Sequence, residues 1–119
     1  MATRLSVALC TLDGSTFLRQ QLESIFAQSR RPDQIVVCDD GSRDGSAELA
    51  TEMLQRSGLP HRLVQSRVKL GVSKNFEQAI RLCEYDIVVF SDQDDVWHRD
   101  RLRQIESAFH RQPDVSLVF

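Results

Sequence analysis

The sequence contains little cysteine. Its 119 residues include only Cys10, Cys38 and Cys83, and no two of them form a C-x-x-C pair. This spacing argues against a disulfide framework and against a zinc knuckle. Because all three lie within apolar segments, we expect them to be buried free thiols. A reducing cytoplasm is therefore the expected location, and peripheral binding at the inner face of a membrane is compatible with it.

A long hydrophobic run and a strong net charge are also absent. No window approaches the roughly 20 apolar residues of a transmembrane helix, and the apolar stretch near the N-terminus is too short for a signal peptide. The formal net charge is -2 at pH 7, which gives no overall basic field to attract nucleic acid. We therefore expect neither a transmembrane segment nor a nucleic-acid partner.

Proline and glycine are scarce, with three and five residues respectively. No linker, internal repeat or low-complexity tract divides the chain. The hydrophobic fraction of 41% and the charged fraction of 27% are typical of a globular domain with one core. We therefore expect residues 1–119 to form a single unit.

Short apolar runs alternate with amphipathic segments along the chain. The predicted strands, which are rich in Val and Ile, are residues 5–10, 35–38, 62–64, 87–90 and 115–119. The predicted helices, with apolar residues at helical spacing, cover residues 18–26, 47–54, 72–83 and 102–109. Strands separated by single helices predict an α/β fold with an open, doubly wound, mostly parallel sheet and flanking helices.

The last predicted strand, residues 115–119, ends the sequence. An uncovered apolar strand tends to pair with another strand. We therefore expect the chain to be the N-terminal part of a longer protein, truncated at its C-terminus. A homo-oligomer formed through this strand is a second expectation.

Polar residues gather where three of the predicted strands end. The residues at these ends are Thr11, Leu12 and Asp13 after the first strand, Asp39 and Asp40 after the second, and Asp92, Gln93, Asp94 and Asp95 after the fourth, and all but Leu12 are polar. In open α/β sheets, ligands bind beyond the carboxyl ends of the strands. Carboxylates this close repel one another unless a cation shares the site. We therefore predict a site for Mn²⁺ or Mg²⁺ whose coordination shell is completed by substrate phosphates.

The D-x-D pattern of Asp92 and Asp94 is central to this predicted metal site. Alternation along an extended segment would direct both side chains to one side, so that one can ligate the ion while the other reaches a neighbouring group. An alternative is that Asp94 and Asp95 begin a helix, where acidic residues interact favourably with the helix dipole. The sequence contains neither G-x-G-x-x-G nor the P-loop pattern, so a dinucleotide-dependent dehydrogenase and a P-loop NTPase are not expected.

Four segments carry a family resemblance, and they occur in the same order as in that family. They are "SVALCTLDGSTFLRQQLESIFAQS", "QIVVCDDGSRDGS", "KLGVSKNFEQAI" and "IVVFSDQDDVW". The sequence resembles family 2 glycosyltransferases of the GT-A fold, particularly their rhamnosyltransferase-like branch. The resemblance implies a Rossmann-like fold in which residues 1–119 are the donor-binding part of a glycosyltransferase domain.

The resemblance also implies an activity and a site. The activity is metal-dependent transfer of a sugar, with inversion, from a UDP- or dTDP-sugar to a glycan or lipid-linked acceptor, as in polysaccharide biosynthesis. The implied nucleotide-sugar-binding positions are Thr11, Leu12, Asp13, Asp39, Asp40, Gly71, Asn75, Asp92 and Gln93. The implied metal ligands are Asp92 and Asp94. No catalytic residue is assigned, because the catalytic base is expected beyond Phe119.

The sequence departs from the family at Leu12 and Asp13, where an aromatic residue and Asn are usual. Two other functions remain open. A phosphohydrolase of the haloacid dehalogenase type also has D-x-D after an apolar strand, although Val96 occupies its Thr position. A receiver-like phosphoacceptor domain has a similar length but requires an acidic pair after its first strand.

Overall fold

A computed structural model describes residues 3–92 and 94–111 of the chain. Four strands and four helices alternate within these ranges. They are β1 (Leu5–Thr11), α1 (Ser15–Phe26), β2 (Gln34–Asp39), α2 (Ser46–Ser57), β3 (His61–Gln65), α3 (Val72–Leu82), β4 (Ile87–Ser91) and α4 (Arg101–Arg111). The first four predicted strands and all four predicted helices are confirmed. The fifth predicted strand, residues 115–119, lies outside the described residues.

The four strands form one sheet in the order β3-β2-β1-β4, and every neighbouring pair is parallel. The predicted open, parallel α/β sheet is therefore confirmed. From β1 the chain proceeds outward through β2 and β3, and then returns to place β4 on the other side of β1. This reversal makes the boundary between β1 and β4 a topological switch point, where open α/β sheets bind their ligands.

Helices cover both faces of the sheet, but they cover them unequally. On one face, Leu9 and neighbouring strand residues pack with α1, α2 and α4 in the larger core. On the other face, Ala8, Cys10 and Cys38 pack against α3. Every residue of β1 and β2 is buried, which explains why these two strands have continuous apolar sequences.

The two outer strands are more exposed than β1 and β2. Within the described ranges β4 has a strand neighbour on one side only. An open groove of about 720 Å³ lies there between α3, β4 and α4. The predicted apolar stripe of α3 is therefore only partly buried, and Val72 at its start is 75% exposed.

The predicted free thiols are confirmed. Cys10, Cys38 and Cys83 are all free thiols, and the first two are buried while Cys83 is half-buried. Burial is the main reason that the pKa of Cys10 rises to about 12 and that the pKa of Cys38 and of Cys83 each rise to about 11. All three are neutral at physiological pH.

Among the residues that the structure describes, none of the helices has both the length and the apolar character needed to span a membrane.

Candidate functional site

The carboxyl ends of β2, β1 and β4 lie side by side at one edge of the sheet. Strand pairing aligns Thr11 with Asp39 on one side of β1 and Leu9 with Ser91 on the other. Asp92 directly follows Ser91. Residues that are separated by more than 50 positions in sequence therefore meet across a single strand.

The thiol of Cys10 lies near both groups of acids. Burial and the neighbouring Cys38 raise its pKa most, and the negative charges of Asp40 and Asp92 raise it further. Asp40 binds the backbone just before α3, and Asp92 lines the groove beside α3. Both predicted site residues therefore lie close to α3.

Asp39 is completely buried, and its carboxylate is used within its own loop. One oxygen, Oδ2, accepts hydrogen bonds from the backbone N–H groups of Gly41 (3.1 Å) and Ser42 (2.8 Å). The other, Oδ1, accepts one from the Ser42 hydroxyl at 2.5 Å. Three donors thus stabilise the charge of Asp39 and fix the turn after β2.

Asp40 is also buried, and it connects β2 to the start of α3. Its Oδ1 accepts a hydrogen bond from the backbone N–H of Leu70 (2.7 Å), and its Oδ2 accepts one from that of Gly71 (3.0 Å). Gly71 has φ 91° and ψ 162°, a conformation that is essentially restricted to glycine. A Cβ at this position would meet nothing within 4 Å, so the space in front of Gly71 is open.

The sequence predicted that the carboxylates at this rim repel one another unless a cation shares the site. For Asp39 and Asp40 the structure shows hydrogen-bond donors around the carboxylates, which are backbone N–H groups and a hydroxyl. Binding of a cation beside these two acids stays a prediction.

Asp92 and Asp94 are different. Both are exposed, and within residues 3–92 and 94–111 neither carboxylate accepts a hydrogen bond. The predicted extended geometry is wrong, because β4 ends at Ser91, Asp94 has φ 73°, and the Asp95 N–H donates to the Asp92 carbonyl at 3.1 Å. The alternative that Asp94 and Asp95 begin a helix is wrong as well, since α4 begins only at Arg101.

A metal ion bound at the end of β4 would need ligands from the side chains of this loop. In the described part of the chain, no group of three Asp, Glu, His or Cys side chains could hold a metal ion. The two unpartnered carboxylates of Asp92 and Asp94 fit a hard cation that takes its other ligands from water and from phosphate, as Mg²⁺ commonly does. Gln93 lies outside the described residues.

Thr11 and Asn75 are buried, with 2% exposure each, and each has a polar atom without a hydrogen-bond partner among the residues that the structure describes. These atoms are the hydroxyl of Thr11 and Oδ1 of Asn75. The Asn75 amide nitrogen donates to the Cys38 carbonyl at 2.9 Å, which joins α3 to β2. Buried polar atoms without protein partners are uncommon, and such atoms often bind a ligand or water.

Leu12 is half-buried and Asp13 is exposed in the loop after β1. The Asp13 N–H donates to the Ser42 hydroxyl at 2.8 Å, and Asp13 Oδ1 accepts from the Arg43 N–H at 2.9 Å. These two bonds fasten the loop after β1 to the loop after β2. In this structure the hydrogen bonds of Asp13 therefore go to the loop after β2.

Sequence reasoning missed the polar residues in and just after α1 that hold the loop after β4. Gln21 donates to that loop at the Ser91 hydroxyl and the Asp92 carbonyl. Ser24 accepts from the Trp97 N–H at 3.0 Å. Gln28 donates to the His98 carbonyl at 2.7 Å. The available signal was the position of Gln21 within the apolar stripe of α1, where a polar residue must find a buried partner.

Comparison with known proteins now identifies the family. The profile described as Glycosyl transferase family 2 matches residues 6–119. The chain belongs to this family. A curated relative in the family, the dTDP-rhamnosyl transferase RfbG of Shigella flexneri, is 31% identical over 99 residues, which is 80% of this chain and 34% of that protein.

Solved structures show the same fold at lower identity. S. aureus TarS in complex with UDP has a TM-score of 0.83 at 22% identity, over 93% of this chain and 33% of that one. The mannosyltransferase PcManGT of Pyrobaculum calidifontis, in complex with GDP-Man and Mn²⁺, has a TM-score of 0.84 at 24% identity, over 92% of this chain and 33% of that one. The expected GT-A fold is thereby confirmed.

This family 2 chain is short compared with its relatives. It spans 42% and 34% of the length of two curated relatives that it matches. The two alternative functions, a phosphohydrolase of the haloacid dehalogenase type and a receiver-like domain, receive no support from these similarities.

Proposed function

We propose that residues 1–119 are the donor-binding part of a glycosyltransferase that moves a sugar from a nucleoside-diphosphate sugar to an acceptor hydroxyl with inversion. The observation that carries the proposal is the meeting of three strand ends at the switch point of a family 2 domain. This edge of the sheet carries the buried hydroxyl of Thr11 and Oδ1 of Asn75, which have no hydrogen-bond partner within the described residues. It also carries the carboxylates of Asp92 and Asp94, which accept no hydrogen bond from those residues.

In this proposal the two groups of acids have different tasks. Asp92 and Asp94 would hold Mn²⁺ or Mg²⁺ against the diphosphate, and the bound ion would supply positive charge to the leaving nucleoside diphosphate. Asp39 and Asp40 would shape the loops that surround the nucleotide, because their carboxylates already bind backbone donors. Thr11, Leu12, Asp13, Gly71, Asn75 and Gln93 remain candidate nucleotide-sugar-binding positions.

The reaction would join the acceptor oxygen to the anomeric carbon and break the bond from that carbon to the diphosphate oxygen. The hydroxyl proton must pass to a base, and the proposal assigns no described residue to that task. Residues at the rim bind and orient the donor. A UDP- or dTDP-sugar is the proposed donor and a glycan or lipid-linked molecule the proposed acceptor.

The similar proteins support the donor class and the choice of metal. The name of RfbG specifies a dTDP-rhamnosyl transferase, TarS was solved with UDP, and PcManGT was solved with a nucleotide sugar and Mn²⁺. A cytoplasmic location, with peripheral attachment to the inner face of a membrane, remains part of the proposal.

Calorimetric titration with UDP and with dTDP, each with and without Mn²⁺, tests the proposal. We expect Mn²⁺ to tighten nucleotide binding by about tenfold, a usual size for coupling between two ligands. Asp94→Ala should abolish this gain. Glu48→Ala is the matched control, because Glu48 is an exposed acid on α2. Nucleotide affinity that does not respond to Mn²⁺, or a full Mn²⁺ response in Asp94→Ala, would overturn the proposed site.

A further inference from the structure

Gln21 is a buried polar residue on an otherwise apolar face of α1. Its side chain is 1% exposed and lies between the buried residues Leu18, Leu22 and Ile25. A primary amide carries two N–H donors, and burial without partners would be unfavourable. The position of Gln21 therefore depends on what its amide group contacts.

Both contacts of this amide are at the end of β4. The nitrogen Nε2 donates to the Ser91 hydroxyl at 2.8 Å and to the carbonyl oxygen of Asp92. The same Asp92 carbonyl also accepts from the Asp95 N–H at 3.1 Å. Gln21 thus reaches across 71 positions of sequence to the backbone of the first acid and to the turn that presents Asp94.

We propose that Gln21 is the positioning residue for the metal-binding carboxylates, which it orients by fixing the backbone of Asp92. The inference rests on the proposed function, since it assigns a role to Gln21 only if Asp92 and Asp94 bind a divalent ion. The two acids have no hydrogen bonds of their own within the described residues, so their placement depends on the backbone that carries them. Catalytic groups tolerate little displacement.

Gln28, two residues after the end of α1, provides a matched control. It is also buried, with 4% exposure. Its amide donates to the Ser24 and His98 carbonyls, and its Oε1 accepts from the Leu102 N–H at 3.0 Å. Gln28 therefore fastens the later part of the same loop and the start of α4 without contacting Asp92. Its replacement should cost stability without moving the acids.

The experiment compares nucleotide affinity with and without Mn²⁺ in wild type, Gln21→Leu and Gln28→Leu, with UDP and dTDP as probes. In Gln21→Leu we expect the gain from Mn²⁺ to fall about fivefold, the factor for one net hydrogen bond. The affinity without Mn²⁺ should change less than about twofold. In Gln28→Leu both affinities should stay at the wild-type value although the melting temperature falls.

Ser91→Ala is a second variant that keeps the experiment informative if Gln21→Leu does not fold. It removes one of the two acceptors of Gln21, and we expect a loss in the same direction but smaller. Amide hydrogen exchange without ligand adds an independent readout, because loss of Gln21 should speed exchange at the Asp95 N–H.

Three results decide the inference. A reduced gain from Mn²⁺ in Gln21→Leu with a normal gain in Gln28→Leu supports it. Equal losses in both variants, or a full gain in Gln21→Leu, overturns it and leaves the proposed function intact. A wild-type chain without any gain from Mn²⁺ overturns the proposed metal site and this role of Gln21 together.

Discussion

The two acidic clusters at the rim of the sheet differ in how their charge is stabilised. After β2, Asp39 and Asp40 are buried and accept five hydrogen bonds, four of them from backbone N–H groups. After β4, Asp92 and Asp94 are exposed and accept none within the described part of the chain. Adjacent acidic residues in a sequence can therefore either hold a loop through hydrogen bonds or leave their carboxylates without donors. The donors around each carboxylate distinguish the two cases.

The difference follows from the place of each strand in the sheet. β2 is covered on both faces and lies between β1 and β3, so the loop after it packs against its neighbours. Within residues 3–92 and 94–111, β4 is an outer strand beside an open groove, and Asp92 lines that groove. Burying a carboxylate without hydrogen-bond donors would cost free energy. An exposed carboxylate stays hydrated and is available to bind a cation.

The largest difference should appear on replacing Asp39 and Asp92. Asp39→Ala leaves two backbone N–H groups and a hydroxyl without their charged acceptor, and we expect it to lower the free energy of unfolding by about 3 kcal/mol. Asp92→Ala should change it by less than about 0.5 kcal/mol. Urea unfolding measures both values, and equal losses in the two variants would remove the distinction between the clusters.

Asp40→Ala should have the next largest effect. It removes the acceptor for the N–H groups of Leu70 and Gly71, and we expect a loss of about 2 kcal/mol. Hydrogen exchange should quicken at those two amides in particular, because the loop before α3 is no longer fixed. Asp94→Ala is the control from the other cluster, and unchanged exchange at Gly71 in Asp40→Ala would contradict the assigned contacts.

Gly71→Ala tests whether the loop that Asp40 holds depends on backbone freedom. We expect a loss of about 1.5 kcal/mol from strain at φ 91°, since a Cβ would contact nothing within 4 Å. Gly58→Ala is the control, because Gly58 has φ 73° and ψ 2°, a less costly conformation for alanine. If Gly71→Ala unfolds at the same urea concentration as the wild type, alanine is not strained at this position.

The smallest expected effect concerns Cys10, whose pKa is raised to about 12 from 9.0, mainly by burial. The unfolded chain loses this proton first as pH rises, so the folded state holds more protons between about pH 9 and pH 12 and becomes less stable there. At about pH 9.5 the loss should be about 1 kcal/mol or less. Urea unfolding of wild type and Cys10→Ala at about pH 8 and pH 9.5 measures it. A stability difference between the two proteins that does not shrink as pH rises would contradict this shift.

Much of the fold could be predicted, because hydrophobic periodicity is a local property of the sequence. The runs at residues 35–38 and 87–90 gave β2 and β4 nearly in full, and helix spacing gave all four helices. The edge at which the acids meet also followed, since parallel strands end at the same side of a sheet. The partial exposure of the α3 stripe did not follow, because it depends on what lies beside β4.

The site was less predictable because its contacts connect distant residues. The partners of Asp40 are 30 and 31 positions away, and those of Gln21 are 70 and 71 positions away. No pattern within one segment contains such pairs. The turn at Asp94 was missed for a different reason, because the D-x-D pattern is equally compatible with an extended segment. The positive φ of Asp94 belongs to the turn that the hydrogen bond from the Asp95 N–H to the Asp92 carbonyl closes.

Paramagnetic broadening of amide signals tests the separation of the two clusters most directly. Mn²⁺ would be added in small amounts to the isotope-labelled chain with dTDP, and then with UDP. We expect the amides of Asp92 and Asp94 to broaden first, before those of Gly41 and Ser42. In Asp94→Ala this order of broadening should be lost. Broadening that begins at residues 39–42, or that spreads evenly over the chain, would contradict it.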